Sequence, residues 1–246
     1  MQTDPRQTLV IPAHNEEALL PRLLDTVEVA RARYSFGAAA IEVIVADNAS
    51  TDRTAEIAAA RGYRVVPVAT RRIGAARNGG AAQATSPVLA FVDADTQIHP
   101  ETFNGIEGAL ADGRVVGGAT GVTLERWSVG LAVTYAMLMP MVLVTGMDTG
   151  VVFCRRNDFM EIGGYDERRL VAEDVGFLWA LKRLGRSRRQ RLVRLRAIKA
   201  VASTRKFDRY GDWHYFGHMG RLAVALLDYP KATDAFVRKF WYDDRG

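Results

Sequence analysis

Short apolar runs alternate with amphipathic stretches through the first hundred positions. Thr8-Leu-Val-Ile-Pro12 reads as a buried strand that stops at its proline. Leu19, Leu20, Leu23, Leu24 and Val27 mark one face of a helix from Glu16 to about Tyr34. Ile41–Ala46, Arg64–Val68 and Val88–Val92 predict three more strands, with helices over Thr54–Ala60 and about Ile73–Ala84 between them. This alternation implies an α/β fold, a doubly wound, mostly parallel sheet with helices on both faces. Ligands of such sheets collect at the carboxyl ends of the strands. Here those ends are Pro12-Ala-His-Asn-Glu16, Asp47-Asn48 and Asp93-Ala-Asp95, so three polar clusters converge on one edge.

The second half is less regular. Val115–Thr123 is β-like although glycine-rich, Gly150–Cys154 reads as a strand, Gly163–Glu167 as a turn, and Glu173–Leu184 as an amphipathic helix ending near Gly185. Trp127–Met147 holds 21 residues without a charge, long enough to span a bilayer. Gly130, Pro140 and Gly146 interrupt it, and a crossing would separate Asp93 and Asp95 from Glu173 and Asp174. A buried or interfacial helix is expected instead. No sharp domain boundary appears along the chain; a main α/β catalytic domain over 1–211 with a helical, aromatic-rich extension over 212–246 is expected. Trp213, Tyr215, Phe216, Tyr229, Phe236, Phe240, Trp241 and Tyr242 crowd that extension, interleaved with Arg221, Lys231, Arg238 and Lys239. It would pack on the domain, on a membrane surface or in an oligomer contact.

Composition narrows the class. Of 246 residues 48% are hydrophobic and 25% charged, with a mean hydropathy of −0.06. These values exclude a disordered chain and a polytopic membrane protein. Cys154 is the single cysteine, so an intramolecular disulfide and a cysteine metal cluster are both excluded. Met1–Arg6 lacks the layout of a secretory signal. The expected setting is the cytoplasm, with peripheral contact at the inner membrane face left open. Between Arg168 and Arg209 there are 14 Lys and Arg against three acids, a net +11, which leaves −6 for the remainder of a chain of net charge +5. This asymmetry suits either a solvated basic surface or an anionic partner.

Asp93 and Asp95 leave a strand end with Gln97 two residues on. These are hard oxygen donors suited to Mg²⁺ or Mn²⁺, with substrate phosphates completing the shell; a solvated turn is the plain alternative. Asp47 ends the second strand, where a carboxylate can bond a base or ribose, while Ser50 to Asp52 suit helix capping. Arg71-Arg-Ile-Gly-Ala-Ala-Arg77-Asn-Gly-Gly80 sets cations and small residues at a helix start, an arrangement that suits phosphate. Its glycines also suit close packing against the sheet. Glu173 and Asp174 open a helix, where they either meet its dipole or serve as a general base. His214 and His218 share a helical face, and one of them could reach a metal. No Walker loop, G-x-G-x-x-G, H-E-x-x-H or G-x-S-x-G is present.

Together these segments resemble a known family. Val10-Ile-Pro-Ala-His-Asn-Glu-Glu17, Ala46-Asp-Asn-Ala-Ser-Thr-Asp-Arg-Thr54, Ala76-Arg-Asn-Gly-Gly80, Phe91-Val-Asp-Ala-Asp95, Gly163-Gly-Tyr-Asp-Glu167 and Glu173-Asp174 follow the order of the family 2 glycosyltransferases of the GT-A fold. The resemblance covers about Leu9 to Phe207. It implies a nucleotide-diphospho-sugar donor, a divalent metal and single-displacement inversion at the anomeric carbon. Pro12, Ala13, Glu16 and Asp47 would then line the nucleoside pocket, with Arg77 near the nucleotide. Asp93 would lie by the ribose and metal, and Asp95 would ligate the metal, joined by Gln97 or His214. Asp174 would deprotonate the acceptor, with Glu173 beside it, and Arg205 and Lys206 would meet the pyrophosphate. Asp93-Ala-Asp-Thr-Gln97 with His99-Pro-Glu101 is similar to polyprenyl-phosphate sugar synthases, so sugar, lipid and lipid-phosphate acceptors all stay open. A nucleotidyltransferase on a similar sheet would differ in releasing pyrophosphate. A noncatalytic module would bind polynucleotide with steep salt dependence; no nucleic-acid partner is expected.

Overall fold

The structure is a computed structural model that describes residues 4–145, 148–169 and 173–213, without the side chains of 138–145, Lys206 and Tyr210. Ten strands and eight α-helices appear among the described residues. In chain order they are β1 (Gln7–Ala13), α1 (Leu20–Arg33), β2 (Ile41–Asp47), α2 (Thr54–Ala60), β3 (Arg64–Pro67), α3 (Ile73–Ala82), β4 (Val88–Phe91), β5 (Thr96–Gln97) and α4 (Thr102–Ala111). There follow β6 (Val115–Ala119), β7 (Val122–Leu124), α5 (Val129–Thr145), β8 (Val152–Arg155), α6 (Arg156–Glu161), α7 (Glu173–Ser187), β9 (Arg191–Arg194), β10 (Ala200–Ala202) and α8 (Arg205–Tyr210).

Seven strands form the central sheet in the order β3-β2-β1-β4-β8-β6-β9. All neighbours pair in parallel except β8, which is antiparallel to both β4 and β6. The expected mostly parallel, doubly wound α/β sheet is therefore present. Strand parity explains the layers. Leu9, Ile11, Val43, Val45 and Ala90 pack under α1, α2 and α4, while Val10, Ile44, Leu89 and Phe91 pack under α3, α6 and α7. Burial on both faces is why the central strands read as unbroken apolar runs.

The direction of winding reverses between β1 and β4, which makes their carboxyl ends the ligand crevice. β1 does not stop at Pro12: it pairs with β2 as far as Ala13–Asp47. The Val10 carbonyl accepts the Val92 N–H, so the same side of residue 12 faces beyond the end of the β4 ladder, where no N–H is needed. The proline closes the ladder on that side and leaves the crevice open.

Two other boundaries differ from expectation. The helix expected from Glu16 starts at Leu20, with Pro21 in its first turn, because His14–Glu17 is drawn into bonds with the neighbouring loop. The β-like stretch from Val115 divides at Thr120-Gly121, where Gly121 takes φ +80°, and its second part joins a separate sheet, β5-β10-β7. That small sheet pairs Gln97 with Val201 and carries the chain to Ser203–Arg205. The uncharged stretch forms α5, which exposes Val129, Val133 and Met137. No helix among the described residues is long and apolar enough to cross a membrane. His214, His218 and the extension beyond Trp213 lie outside the described residues.

Candidate active site

The β1–α1 and β2–α2 loops are stitched together. Asn15, at φ +51°, accepts the Thr51 N–H at 2.8 Å and donates its own N–H to Ser50 Oγ at 3.1 Å. The Glu16 N–H donates to Thr54 Oγ1 at 2.8 Å and the Glu17 N–H to Asp52 Oδ2 at 3.0 Å. Ser50 therefore serves this crossing. Asp52 does so too, while also taking the Thr54 N–H at the start of α2. Asn48 fixes the neighbouring wall: its N–H donates to the Ala13 carbonyl, and Nδ2 donates to the carbonyls of Val68 and Thr70. Pro12, Ala13, Glu16 and Asp47 are thus gathered along one wall, with Ala13 and Asp47 in register.

Glu16 is 2% exposed, and Arg205 at the start of α8 holds it bidentately at 2.9 and 3.0 Å. Arg205 also lies 3.6 Å from Asp95. One guanidinium thus joins the wall formed by the β1–α1 and β2–α2 loops to the strand-end carboxylates across 189 residues of sequence. Lys206 follows it in α8, and its side chain is not among those described. Gln97 sits in β5, antiparallel to β10.

A second constellation faces it. Arg77 lies inside α3 rather than at its start and is 3% exposed. Its Nη1 donates to Glu173 Oε1 at 2.8 Å and lies 2.8 Å from Asp174 Oδ1. Its Nη2 donates to Asp93 Oδ1 at 2.7 Å and to Asp174 Oδ2 at 3.3 Å. Asp93 shares the parity of Leu89 and Phe91, which aims it at the face carrying α3 and α7. Below the guanidinium, 5.0 Å away, is the ring of Tyr165, itself stacked on Phe177 at 4.3 Å. Asn78 clamps the turn that carries this ring, accepting the Tyr165 N–H and donating to the Tyr165 carbonyl, both at 2.9 Å. Gly79 and Gly80 let α3 settle on the strands: a Cβ on Gly80 would overlap Val10 Cγ1, and one on Gly79 would come within 2.7 Å of Val68 Cγ2.

Burial pushes the Asp174 carboxyl up, Arg77 pulls it back, and Glu173 and Asp93 push it further, to about 7. The group can therefore change protonation near neutral pH. Of the other cations expected at the start of α3, Arg71 bonds His14 Nε2 at 2.6 Å, and Arg72 donates to the carbonyls of Glu167 and Arg168. The basic stretch from 168 to 209 is not one phosphate-binding face. Arg188 and Arg191 pair with Asp158 and Asp112 near the amino edge of the sheet, Arg194 pairs with Asp148, and Arg205 reaches the crevice.

A divalent cation fits this edge. Asp93 is bonded through Oδ1 and is 45% exposed, and Asp95 is partly exposed beside it. No three His, Cys, Asp or Glu side chains gather as a metal cluster among the described residues. Two carboxylates completed by substrate oxygens match a metal that keeps few protein ligands.

The model of the family "Glycosyl transferase family 2" matches residues 8–189. The chain belongs to that family. Validoxylamine A glucosyltransferase of Streptomyces hygroscopicus subsp. limoneus is 36% identical over 115 residues, 44% of this chain and 24% of that enzyme. The match thus spans about a quarter of that relative's length. S. aureus TarS in complex with UDP-GlcNAc superposes with a TM-score of 0.62 at 18% identity, over 81% of this chain and 58% of that one. Glucosyl-3-phosphoglycerate synthase from Mycobacterium tuberculosis, with Mn²⁺, UDP and phosphoglyceric acid, superposes with a TM-score of 0.60 at 23% identity, over 91% and 77%. The fold is thus shared with glycosyltransferases of the GT-A type.

Proposed function

We propose that the chain transfers a sugar from a nucleotide-diphospho-sugar to an acceptor hydroxyl or lipid phosphate, with inversion at the anomeric carbon. The observation that supports this reading is the meeting of three features at the β1/β4 crossover: the strand-end carboxylates Asp93 and Asp95, the wall of the two stitched loops, and an opposing buried carboxylate, Asp174, raised to about 7. Two structural neighbours are complexes with Mn²⁺ and a nucleotide, the M. tuberculosis synthase with UDP and the Pyrobaculum calidifontis mannosyltransferase with GDP-Man.

In this mechanism Pro12, Ala13 and Asp47 line the nucleoside, and Glu16, buried against Arg205, fixes that wall behind them. Asp95, Asp93 and Gln97 would hold Mg²⁺ or Mn²⁺, which when bound compensates the charge developing on the leaving diphosphate. Arg205 adds positive charge on the same side, and Lys206, its neighbour in sequence, is expected to join it at the pyrophosphate. The acceptor oxygen attacks the anomeric carbon as the bond from that carbon to the phosphate oxygen breaks. The electron pair leaves with the nucleoside diphosphate, and Asp174 takes the acceptor proton on a carboxylate oxygen. A phosphate acceptor, already ionised, would need that base less.

Thermal denaturation with UDP, GDP, dTDP, CDP and ADP, each with and without Mn²⁺, tests the donor side. A ligand bound only by the native state adds about 2.7 kcal/mol at 100 times its Kd. One nucleotide should stabilise the wild type in a Mn²⁺-dependent way, and Asp95→Asn should lose the Mn²⁺ dependence. A Mn²⁺-dependent shift that survives in Asp95→Asn would remove the ligand role. Release of pyrophosphate instead of nucleoside diphosphate would move the chain to nucleotidyl transfer.

A further inference from the structure

Arg77 spends its guanidinium in a way that burial alone does not require. A buried arginine needs a compensating carboxylate, and Glu173, itself well buried, provides one at 2.8 Å. The bond to Asp93 is different. That carboxylate is 45% exposed and water would satisfy it, yet Arg77 Nη2 holds it at 2.7 Å while two nitrogens of the same group contact Asp174. Asp93 comes from the end of β4 and Asp174 from the first turn of α7, 81 positions later. The group between them is planar and cannot lose its proton.

Its base is equally fixed. Gly80 lies against Val10, Asn78 is clamped to Tyr165, and the Tyr165 ring supports the guanidinium from below. With the side chain 3% exposed and turned to carboxylates, Arg77 has little surface to offer a nucleotide.

We propose that Arg77 is a positioning residue that spans the reaction: one guanidinium ties the donor-side carboxylate Asp93 to the acceptor-side carboxylate Asp174 and so sets the distance and angle at which the acceptor oxygen meets the anomeric carbon. This rests on the glycosyl-transfer reading above. A lysine at position 77 would supply the charge without the rigid fork that bridges the two walls. Misplacement of a reacting group by about 1 Å costs about 100-fold in rate.

The test uses the whole chain and water as acceptor, following Mn²⁺-dependent release of nucleoside diphosphate from UDP-glucose and from GDP-mannose. Arg77→Met should lower kcat about 100-fold with the donor KM within about threefold of wild type, and Arg77→Lys should recover less than about tenfold of the loss. In an Asp174→Asn background, Arg77→Met should change the residual rate less than about threefold, because the residue acts through that carboxylate. A raised donor KM at unchanged kcat would make Arg77 a nucleotide contact and overturn the proposal. Full multiplication of the two effects in the double variant would overturn it as well. Should Arg77→Met fail to fold, Arg77→Met/Glu173→Gln removes one charge of each sign and is read in the same way. Where the wild type uses neither donor, the sugar nucleotide of the base that stabilises it with Mn²⁺ replaces them; no release from that donor either would bring down the glycosyl-transfer reading itself, and this proposal with it.

Discussion

The Glu16–Arg205 pair should respond very differently to removal of its two members. Glu16 is 2% exposed, whereas the Arg205 side chain is 36% exposed and has Asp95 at 3.6 Å as a second anion. Removing the partner of a buried charge costs about 3–5 kcal/mol. Since Arg205 itself borders solvent, water can follow into the space it vacates, which brings Arg205→Met just below that range, to about 2–3 kcal/mol. In a chain of this size that is a fall in Tm of about 5–10 °C. Glu16→Gln leaves a cation that water and Asp95 can still serve, so its cost should be about 1 kcal/mol or less. The double variant Arg205→Met/Glu16→Gln removes both charges of the pair together and should regain most of what Arg205→Met loses. Calorimetry of the three variants without nucleotide or metal measures all three quantities. Equal losses for the two single variants, or no recovery in the double, would refute the claim that the pair is governed by the burial of Glu16.

The remaining predictions address the other wall and the packing. Asp174 sits at about 7 against an ordinary 3.8, so the folded state favours its protonated form: stability should fall as pH rises between about 4 and 7, while turnover rises through about 7 as the base ionises. Glu173→Gln removes a like charge and leaves Arg77 more fully to Asp174; the activity midpoint should move to lower pH, and an unmoved or higher midpoint in the pH–rate profile would count against this account. Gly80→Ala drives a methyl into Val10 and should cost about 1–3 kcal/mol in denaturant titration. Gly108→Ala, in the interior of α4 with nothing within 4 Å of the added carbon, should gain about 0.5–1 kcal/mol instead.

What the sequence disclosed and what it withheld follow from the range of the interactions. Apolar runs flanked by turn residues located β1 to β4 within a residue or two, and the alternation of strand and helix placed Asp47, Asp93 and Asp95 on one edge, because those are local properties of backbone and burial. The helix expected over about Thr54–Ala60 was legible for the same reason. The strand through Pro12 was not, since the harmlessness of its missing N–H depends on where the neighbouring β4 ladder ends. Ser50 and Asp52 looked like caps because capping is a local use of those side chains. Both in fact take N–H groups of the β1–α1 loop, more than 30 residues back, while Asp52 also keeps the capping bond to the Thr54 N–H. The partner of Arg205 is 189 positions away and carries no periodic signal. Arg77 did leave a sign: a lone cation among Ala76, Gly79 and Gly80, in a helix built for close packing, must be buried and therefore compensated. Three carboxylates meet that need. Its placement inside the helix and not at its start was the part that required coordinates.

Asp174→Asn tests the central claim most directly. The amide keeps the size of the side chain and its place beside Arg77 but cannot take a proton from an acceptor. Isothermal titration of the donor nucleotide with Mn²⁺, run beside a turnover assay on a hydroxyl acceptor, should show binding within about threefold of wild type and a rate lowered by the 10²–10⁴ typical of a lost general base. Near-normal turnover with intact donor binding would contradict the account, since the proton would then be leaving by another route.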